Sequence, residues 1–456
     1  MIRPLQLGIM ISLTIAGLLL AYFYHIPLAF GFLLGLGSLI FFTTRAGTSW
    51  STLGRSIKSG ILHTKEVVWI LLLGSLIIPA WTESGTIPYL IEQGLQLIDP
   101  TYLVTLSFLF CAVISMILGT STGTLSAIGI PLIGMGAVLH IPLPLLAGAL
   151  VSGVFVGDRT SPFSSAHQLL ASSTGTTVRK QYPKLMPTTI AAVLCALVFY
   201  GISDLRGNWN AQHMTMPTTN FSAHFELSPW LLIPVIVLLG ANAFRLKTKY
   251  AFLLSIAASI IIGTWLQQIS LTEWLHTLWR GYQFEELPSL HTKGMLQMLD
   301  LVLLIALAGA YNGILEETGT LQPYMEKILG TSSSMAAGTV RAGLFGIILS
   351  LLSCTQTLPI MMTGRNLLPL WERRFAREHL SRVIADTALV AAAMVPWNLL
   401  AVLCGTIIGI PIASYVPYAI FLWSLPFLTV ITSMVIDLTQ KKRISATRQN
   451  ENELSQ

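Results

Sequence analysis

The sequence predicts an all-α polytopic membrane protein, with about 12–14 hydrophobic segments in two inverted-topology repeats that contain broken or re-entrant helices. Three observations carry this prediction. The 456 residues are 53% hydrophobic and 10% charged, with mean hydropathy +0.70, whereas a soluble domain carries roughly 25% charged residues. Apolar runs long enough, or nearly long enough, to cross a bilayer recur from end to end. Finally, two carboxylates, Asp158 and Asp386, lie inside polar interruptions of those runs. A charge at membrane depth costs about 2.5–3.5 kcal/mol on insertion scales, so it is normally kept for a task. Interrupted helices in corresponding halves are a mark of secondary transporters.

The first half, 1–205, contains segments at about 5–24, 26–43, 67–82, 102–118, 125–139, 143–157 and 186–203. The second half, 229–436, contains segments at about 229–244, 249–269, 297–314, 336–352, 356–370, 384–403 and 412–435, and a polar tail covers 437–456. Spanning takes roughly 20 residues. The shorter segments flank Gly/Ser/Thr clusters, as discontinuous helices or re-entrant hairpins do. The run from Leu5 to Tyr24 has no small-residue cleavage site and a second run follows at once, so it reads as a first helix and not a signal peptide. The two sets start about 225–230 residues apart, and short motifs recur in the same order. Glu83-Ser84-Gly85-Thr86 answers to Glu317-Thr318-Gly319-Thr320, and Gly119-Thr120-Ser121-Thr122 to Ser353-Cys354-Thr355-Gln356. Gln168-Leu169-Leu170-Ala171 answers to Asn398-Leu399-Leu400-Ala401, and Gly175-Thr176 to Gly405-Thr406. Four matches at a near-constant interval point to an internal duplication.

Charge sets the orientation. Basic residues gather in loop 44–66 (Arg45, Arg55, Lys58, Lys65), in loop 179–184, at Arg245 to Lys249, at 371–377 and at Lys441-Lys442-Arg443. By the positive-inside rule all five face the cytoplasm, and fourteen alternating segments from a cytoplasmic N-terminus satisfy them together. An odd number of segments per half makes the repeats inverted. Both termini are then cytoplasmic, and the tail from Gln440 onwards is expected to be disordered. The net charge of +6 sits in short loops, with no basic patch for nucleic acid. The four cysteines, Cys111, Cys195, Cys354 and Cys404, lie in apolar runs or their breaks, match neither a zinc site nor a disulfide framework, and read as small core residues.

Two polar breaks hold the chemistry of the first half. In Gly119-Thr120-Ser121-Thr122-Gly123-Thr124, glycines and hydroxyls free backbone carbonyls. Irregular backbone is tolerated at membrane depth only where it is buried in protein or lines a cavity. Thr120, Ser121 and Thr122 offer hard oxygens for Na⁺, or alternatively a small-residue helix contact. In Gly157-Asp158-Arg159-Thr160-Ser161-Pro162-Phe163-Ser164-Ser165-Ala166-His167-Gln168, Asp158 takes a cation or a proton, and burial favours whichever neutralises it. Ser161, Ser164 and Gln168 add oxygens. A structural Asp158–Arg159 pair at the helix end is the competing reading. His167 titrates near neutrality by nature, and is otherwise a hydrogen-bonded core histidine. The second half offers Thr355, Gln356, Arg365, Asp386 and, after the helix breaker Pro396, Asn398. Asp386 follows Arg382 by four residues, a spacing that pairs them on one helix face. Glu83 and Glu316-Glu317 occupy equivalent turns, as gates or as solvated helix ends, and Asp300 reads as interfacial.

These motifs resemble the NhaC-type family of bacterial Na⁺/H⁺ antiporters, which includes malate/lactate-type exchangers. Residues 119–124 resemble its GTSxGT segment, 157–162 its GDKxSP signature, and Leu380-Ser381-Arg382 through Asp386 to Pro396-Trp397-Asn398 its NLSR…D…PWN stretch. The likeness covers roughly 60–435. One departure stands out: where the family continues SPxSDTTN, this chain has Ser165 in place of the carboxylate, His167 for a threonine and Gln168 for Asn.

The resemblance implies a multi-pass protein of the bacterial cytoplasmic membrane that exchanges Na⁺ for H⁺, with the lipid bilayer as surroundings and a homodimer left open. Asp158 would alternate between proton and Na⁺ with Thr120, Ser121 and Thr122 as neutral ligands. Thr355, Gln356, Asp386 and Asn398 would complete the site, Asp386 as a second Na⁺ carboxylate. His167, Arg159 and Arg365 would serve proton passage or gating. No ATP-binding motif is present, so an ion gradient supplies the energy and no cofactor is expected. The alternative is exchange of a small organic acid or amino acid, its carboxylate bound by Arg159 or Arg365. Ser161 or Ser164 with His167 is the one nucleophile–base candidate, and no third group orients it, so the chain does not read as an enzyme.

Overall fold

The structure, a computed structural model, describes residues 4–24, 26–97, 99–207, 221–282, 292, 294–318, 334–353 and 355–454. The motif Gly319-Thr320 and Cys354 therefore lie outside the described residues. The described elements are all helical. In the first half they are α1 (Pro4–Phe23), α2 (Leu28–Arg45), α3 (Trp50–His63), α4 (Lys65–Glu83), α5 (Thr86–Leu97), α6 (Leu103–Leu118), α7 (Ser121–Val138), α8 (Leu143–Thr160), α9 (Ser165–Ser173) and α10 (Val178–Gly207). The second half contributes α11 (Ile233–Ala243), α12 (Thr248–Leu266), α13 (Leu271–Arg280), α14 (Leu299–Thr318), α15 (Met335–Ser353), α16 (Thr357–Trp371), α17 (Arg377–Ile384), α18 (Leu399–Ile408) and α19 (Ile420–Leu454).

Among the described residues, ten helices are long and apolar enough to cross a membrane. An eleventh candidate is a bent pair, Leu399–Ile408 with Ile412–Tyr418, at 87°. Two shorter apolar helices, Gly8–Phe23 and Pro229–Ala243, account for further expected segments.

Three expectations are corrected. The basic stretch 44–66 is not a loop but largely helix α3, which turns Leu53, Ser56 and Gly60 inward and leaves Arg55 and Lys58 exposed. It is held by close approach: a side chain at Gly60 would collide with the Gly309 carbonyl of α14, and one at Gly313 with the Ser56 carbonyl. Small residues bring helices together in this way where lipid supplies no hydrophobic drive. The tail expected to be disordered continues α19 as helix to Leu454, because residues after Gln440 carry good helix formers and neither Gly nor Pro. Of the cysteines, Cys111 and Cys404 are buried, but Cys195 is exposed.

The halves repeat one fastening. Asp204, near the end of α10, accepts from the Val104 and Thr105 amides (3.2 and 2.9 Å) at the start of α6. Asp437, on α19, accepts from the Met335 and Ala336 amides (both 2.9 Å) at the start of α15. Each carboxylate satisfies amides that a helix start leaves open. A second correspondence lies deeper: Ser115 of α6 donates to the Gly153 carbonyl of α8, and Ser350 of α15 to the Ala388 carbonyl after α17. One hydrophobic core runs through α6, α7, α8, α10 and α15 to α19, while α1, α2, α3 and α14 share a second that reaches Trp397.

Candidate functional site

The geometry starts from α8 pressed against α6. Gly153 and Gly157 face that helix: a Cβ at Gly153 would meet the Phe108 carbonyl oxygen at 2.5 Å, and one at Gly157 would strike the Ser115 backbone. The Ser115 hydroxyl accepts from the Gly157 amide at 3.0 Å and locks the register. Asp158 is the next residue, carried into the core at 6% exposure. The helix ends two residues later, with Ser161 extended ahead of Pro162, and α9 opens with Ser164 as its N-cap, accepting from the His167 amide at 3.3 Å.

The Ser164 hydroxyl lies between cap and site. It donates to the Asp158 carbonyl at 2.6 Å and approaches Asp158 Oδ1 at 3.3 Å. The other carboxylate oxygen accepts from Gln356 Nε2 at 3.2 Å, and the same nitrogen donates to the Leu389 carbonyl at 3.2 Å. Leu389 ends the π-helical turn Ala385–Leu389, and no regular helix continues over 392–398 around Pro396, so this carbonyl is open to a side-chain donor. Gln356, at the N-cap position of α16, thereby joins the first-half carboxylate to second-half backbone. Asp158 is thus buried, held by a hydroxyl and an amide, and among the described residues no cation faces it at bonding distance.

Arg159 turns away from its neighbour, since adjacent helix residues do not face each other. It is fully buried and reaches Asp386, also fully buried, across 227 positions of sequence. Its Nε meets Asp386 Oδ1 at 2.9 Å and its Nη2 bonds the same oxygen. Nη2 also donates to Thr188 Oγ1 at 2.8 Å, and Nη1 bonds Thr189 Oγ1, both on α10. This overturns two expectations. Asp158 and Arg159 form no pair, and Asp386 does not pair with Arg382. Arg382 instead donates to Thr429 and Ser433 of α19 at 3.2 and 2.6 Å. A base preceding the acid is the weaker i,i+4 order, and the π turn containing Asp386 shifts it off the Arg382 face. Arg159, enclosed by Asp386 and two threonines, is closed to a substrate carboxylate.

The other predicted residues disperse. Thr120 caps α7, accepting from the Gly123 amide at 2.8 Å, after Gly119 turns the chain in the left-handed region at φ +71°. Ser121 is buried and Thr122 half-buried, and no hydrogen bond among the described residues joins Thr120, Ser121 or Thr122 to Asp158. Ser161 donates to the Met116 carbonyl at 2.7 Å, Gln168 is exposed and bonds the Pro162 carbonyl at 3.0 Å, and Asn398 caps α18 through the Leu400 amide at 3.1 Å. Arg365 is exposed on α16. His167 is buried with Nδ1 3.2 Å from the Ser161 carbonyl, and neither serine hydroxyl reaches its ring, so the nucleophile–base pair does not form. Glu83 accepts from Thr277 at 2.9 Å, and Glu316, Glu317 and Asp300 are exposed. Among the described residues no cluster of three His, Cys, Asp or Glu side chains has metal-binding proximity.

A cavity of about 450 Å³ opens beside this centre, lined by His63, Thr64, Asn312, Glu316, Thr355, Gln356, Met361, Met362 and Trp397 among others. Gln356 belongs both to its wall and to the Asp158 bond, while Asp158 itself does not line it. Sequence reasoning passed over His63, Asn312 and Glu316 as cavity residues, and over Ser115, Thr188 and Thr189. The adjoining Thr188-Thr189 in an apolar run after Pro187 was the available signal for a buried polar partner.

A sequence profile of the Na⁺/H⁺ antiporter family matches residues 2–203 and 153–435. The chain belongs to the Na⁺/H⁺ antiporter family. Together with the ten membrane-length helices this makes it a multi-pass membrane protein. It is similar to the Na⁺/H⁺ antiporter NhaC of Bacillus subtilis, 26% identical over 449 residues, which cover 95% of this chain and 98% of the relative. It is similar to the malate-2H⁺/Na⁺-lactate antiporter of the same organism, 25% identical over 448 residues (95% and 93%). The arginine/ornithine antiporter ArcD of Halobacterium salinarum is 26% identical over 388 residues (82% and 79%). These relatives are transporters.

Proposed function

We propose that this protein exchanges Na⁺ for H⁺ across the membrane, with Asp158 as the carboxylate that holds the two in turn. The observation that carries the reading is the bonding of Asp158: a buried acid whose oxygens meet only the neutral Ser164 and Gln356 groups. Such a carboxylate needs a mobile positive partner, and proton and Na⁺ compete for it. Ser164 supplies a hydroxyl oxygen. Gln356 supplies an amide that donates to the empty carboxylate and, turned by half a rotation, presents its own oxygen to a bound cation. The 450 Å³ cavity leads water and ions to Gln356 from one side.

The two halves, 1–205 and 229–436, act as inverted repeats about this centre. The paired Asp204 and Asp437 fastenings and the Ser115 and Ser350 contacts support this. The basic stretches between the apolar segments support a cytoplasmic position for both termini. Thr120, Ser121 and Thr122 take part as the break that lets α7 begin beside α8, and His167, Thr355 and Asn398 shape the surrounding shell. Asp386 stays with Arg159 as a structural charge. Everted membrane vesicles expressing the protein, energised to an acid interior, test the reading. Adding Na⁺ is expected to release protons, and an unchanged pH gradient from pH 6.5 to 9 refutes the exchange.

The cavity is larger than a bare Na⁺ needs, which favours one second reading: a small organic ion carried with or instead of Na⁺, as the names of two relatives describe for themselves. Arg365, on the exposed side of α16, remains as a carboxylate partner, whereas Arg159 does not. Competition of unlabelled malate, lactate, arginine and ornithine against radiolabelled Na⁺ separates the two.

A further inference from the structure

We infer that the exchange is electroneutral, one Na⁺ for one H⁺, because the transport centre contains a single carboxylate free to change its partner. The inference rests on the reading of Asp158 above and adds to it the charge moved per cycle.

The acids in or beside the membrane-length helices among the described residues sit in distinct settings. Asp204 and Asp437 are each bound to two backbone amides at helix starts, 2.9–3.2 Å away, amides that a helix start otherwise leaves open. Asp386 is bound to the Arg159 guanidinium inside a cage closed by Thr188 and Thr189, both side chains fully buried. That pair carries no net charge, and releasing either partner would leave an isolated charge in the core. Glu83 bonds Thr277 at a helix end, while Asp300, Glu316 and Glu317 are exposed. Asp158 alone among them is buried with neither a guanidinium nor helix-start amides against it, and it alone bonds Gln356 of the cavity wall.

Besides the buried Cys404 thiol and, in the cavity wall, the exposed His63 and Glu316, the titratable group near the centre is His167. Its ring meets the Ser161 carbonyl and the edge of Tyr182 (centroids 5.7 Å apart), does not bond Asp158, and does not line the cavity. The cations that face this region, Arg159 and Arg382, are committed to Asp386 with its threonines and to Thr429 with Ser433. Position 165, next to the Ser164 that bonds Asp158, is an exposed serine and adds no charge. The centre is therefore neutral with Na⁺ and neutral with H⁺. Neither crossing moves net charge, and a membrane potential does work only on net charge moved.

The test uses the full chain in proteoliposomes with radiolabelled Na⁺. With an interior about one pH unit more acid than outside, one-for-one exchange drives Na⁺ in to about a tenfold steady-state excess. A K⁺ gradient of about tenfold with valinomycin, in either direction, leaves that excess unchanged because no charge is moved. An excess near a hundredfold that shifts by about tenfold with the K⁺ gradient means two protons per Na⁺. That result overturns the inference while leaving the exchange reading standing, and it makes His167→Asn the next variant. No pH-driven Na⁺ uptake at all overturns the exchange reading, and the inference falls with it.

Discussion

Asp158 and Asp386 are the same kind of residue in the same kind of place: buried carboxylates beside breaks in membrane helices, about 230 residues apart. Their partners separate them. Asp386 meets a guanidinium and its charge is answered by the protein itself. Asp158 meets a hydroxyl and an amide, and its charge is answered by neither. The buried acid paired within the fold and the buried acid proposed to carry an ion therefore differ in what stands opposite, and one arginine decides which is which. Arg159, adjacent in sequence to the second acid and bonded to the first, makes the assignment by facing away from its neighbour.

The comparison breaks most sharply at Asp158→Asn. Asparagine keeps the shape, its one carbonyl oxygen still accepts from Gln356 and its NH2 faces the Ser164 hydroxyl oxygen as a donor, so the unfolding temperature in detergent is expected to stay within a few degrees, while Na⁺-driven proton release falls to the level of empty vesicles. Exchange that survives this change removes Asp158 from the mechanism. At Asp386 the expected loss is of stability. Asp386→Asn leaves Arg159 buried without a counter-charge, at a cost of about 3–5 kcal/mol. The double variant Arg159→Met with Asp386→Leu removes both charges and is expected to recover most of that loss and to retain exchange, since a buried pair is often replaced by apolar groups without penalty. Denaturation midpoints of the single and double variants give the coupling. If the stable double variant no longer exchanges Na⁺, Asp386 is more than an anchor.

Gln356→Ala probes the junction between cavity and carboxylate. It deletes the donor to Asp158 and to the Leu389 carbonyl. Loss of the donor to the empty carboxylate alone would tighten Na⁺, so the expected effect comes from losing the Gln356 oxygen proposed to face the bound cation: a contact to a charged group contributes about 1.5–3 kcal/mol, and the apparent KM for Na⁺ is expected to rise about tenfold or more. Initial rates across a Na⁺ series measure it, and an unchanged KM would place the ion elsewhere along the cavity.

Much of this was legible in the sequence. An aspartate after Val156-Gly157, at the end of an apolar run, announces a buried acid, and Gly119, Pro162 and Pro396 mark the broken backbone around it. What remained hidden is side-chain direction and long-range pairing. Arg159 sits beside Asp158 in sequence, and its bond to Asp386 spans 227 positions. The π turn that moves Asp386 off the Arg382 face has no signature in residue type. Helix α3 was hidden for a different reason: its basic residues read as a loop, although Leu53, Ser56 and Gly60 at spacings of three and four already traced a buried helical face. The hydroxyls of 120–122 were read as ligands because Thr and Ser serve equally as oxygens and as caps, and only the cap geometry at Thr120 distinguishes the two.

The smallest effect tests that last distinction at Ser164, where one hydroxyl does both. It caps α9 and touches Asp158. Losing an N-cap costs about 0.5–2 kcal/mol of stability. Ser164→Ala removes cap and ligand together, whereas Ser164→Gly leaves out the same oxygen but restores most of the cap, costing only a few tenths of a kcal/mol. If the hydroxyl is a ligand, both variants weaken Na⁺ to the same degree, a few-fold, although their melting temperatures differ. If it only caps, the Na⁺ affinity of the glycine variant stays at the wild-type value, and the site contracts to Asp158 and Gln356.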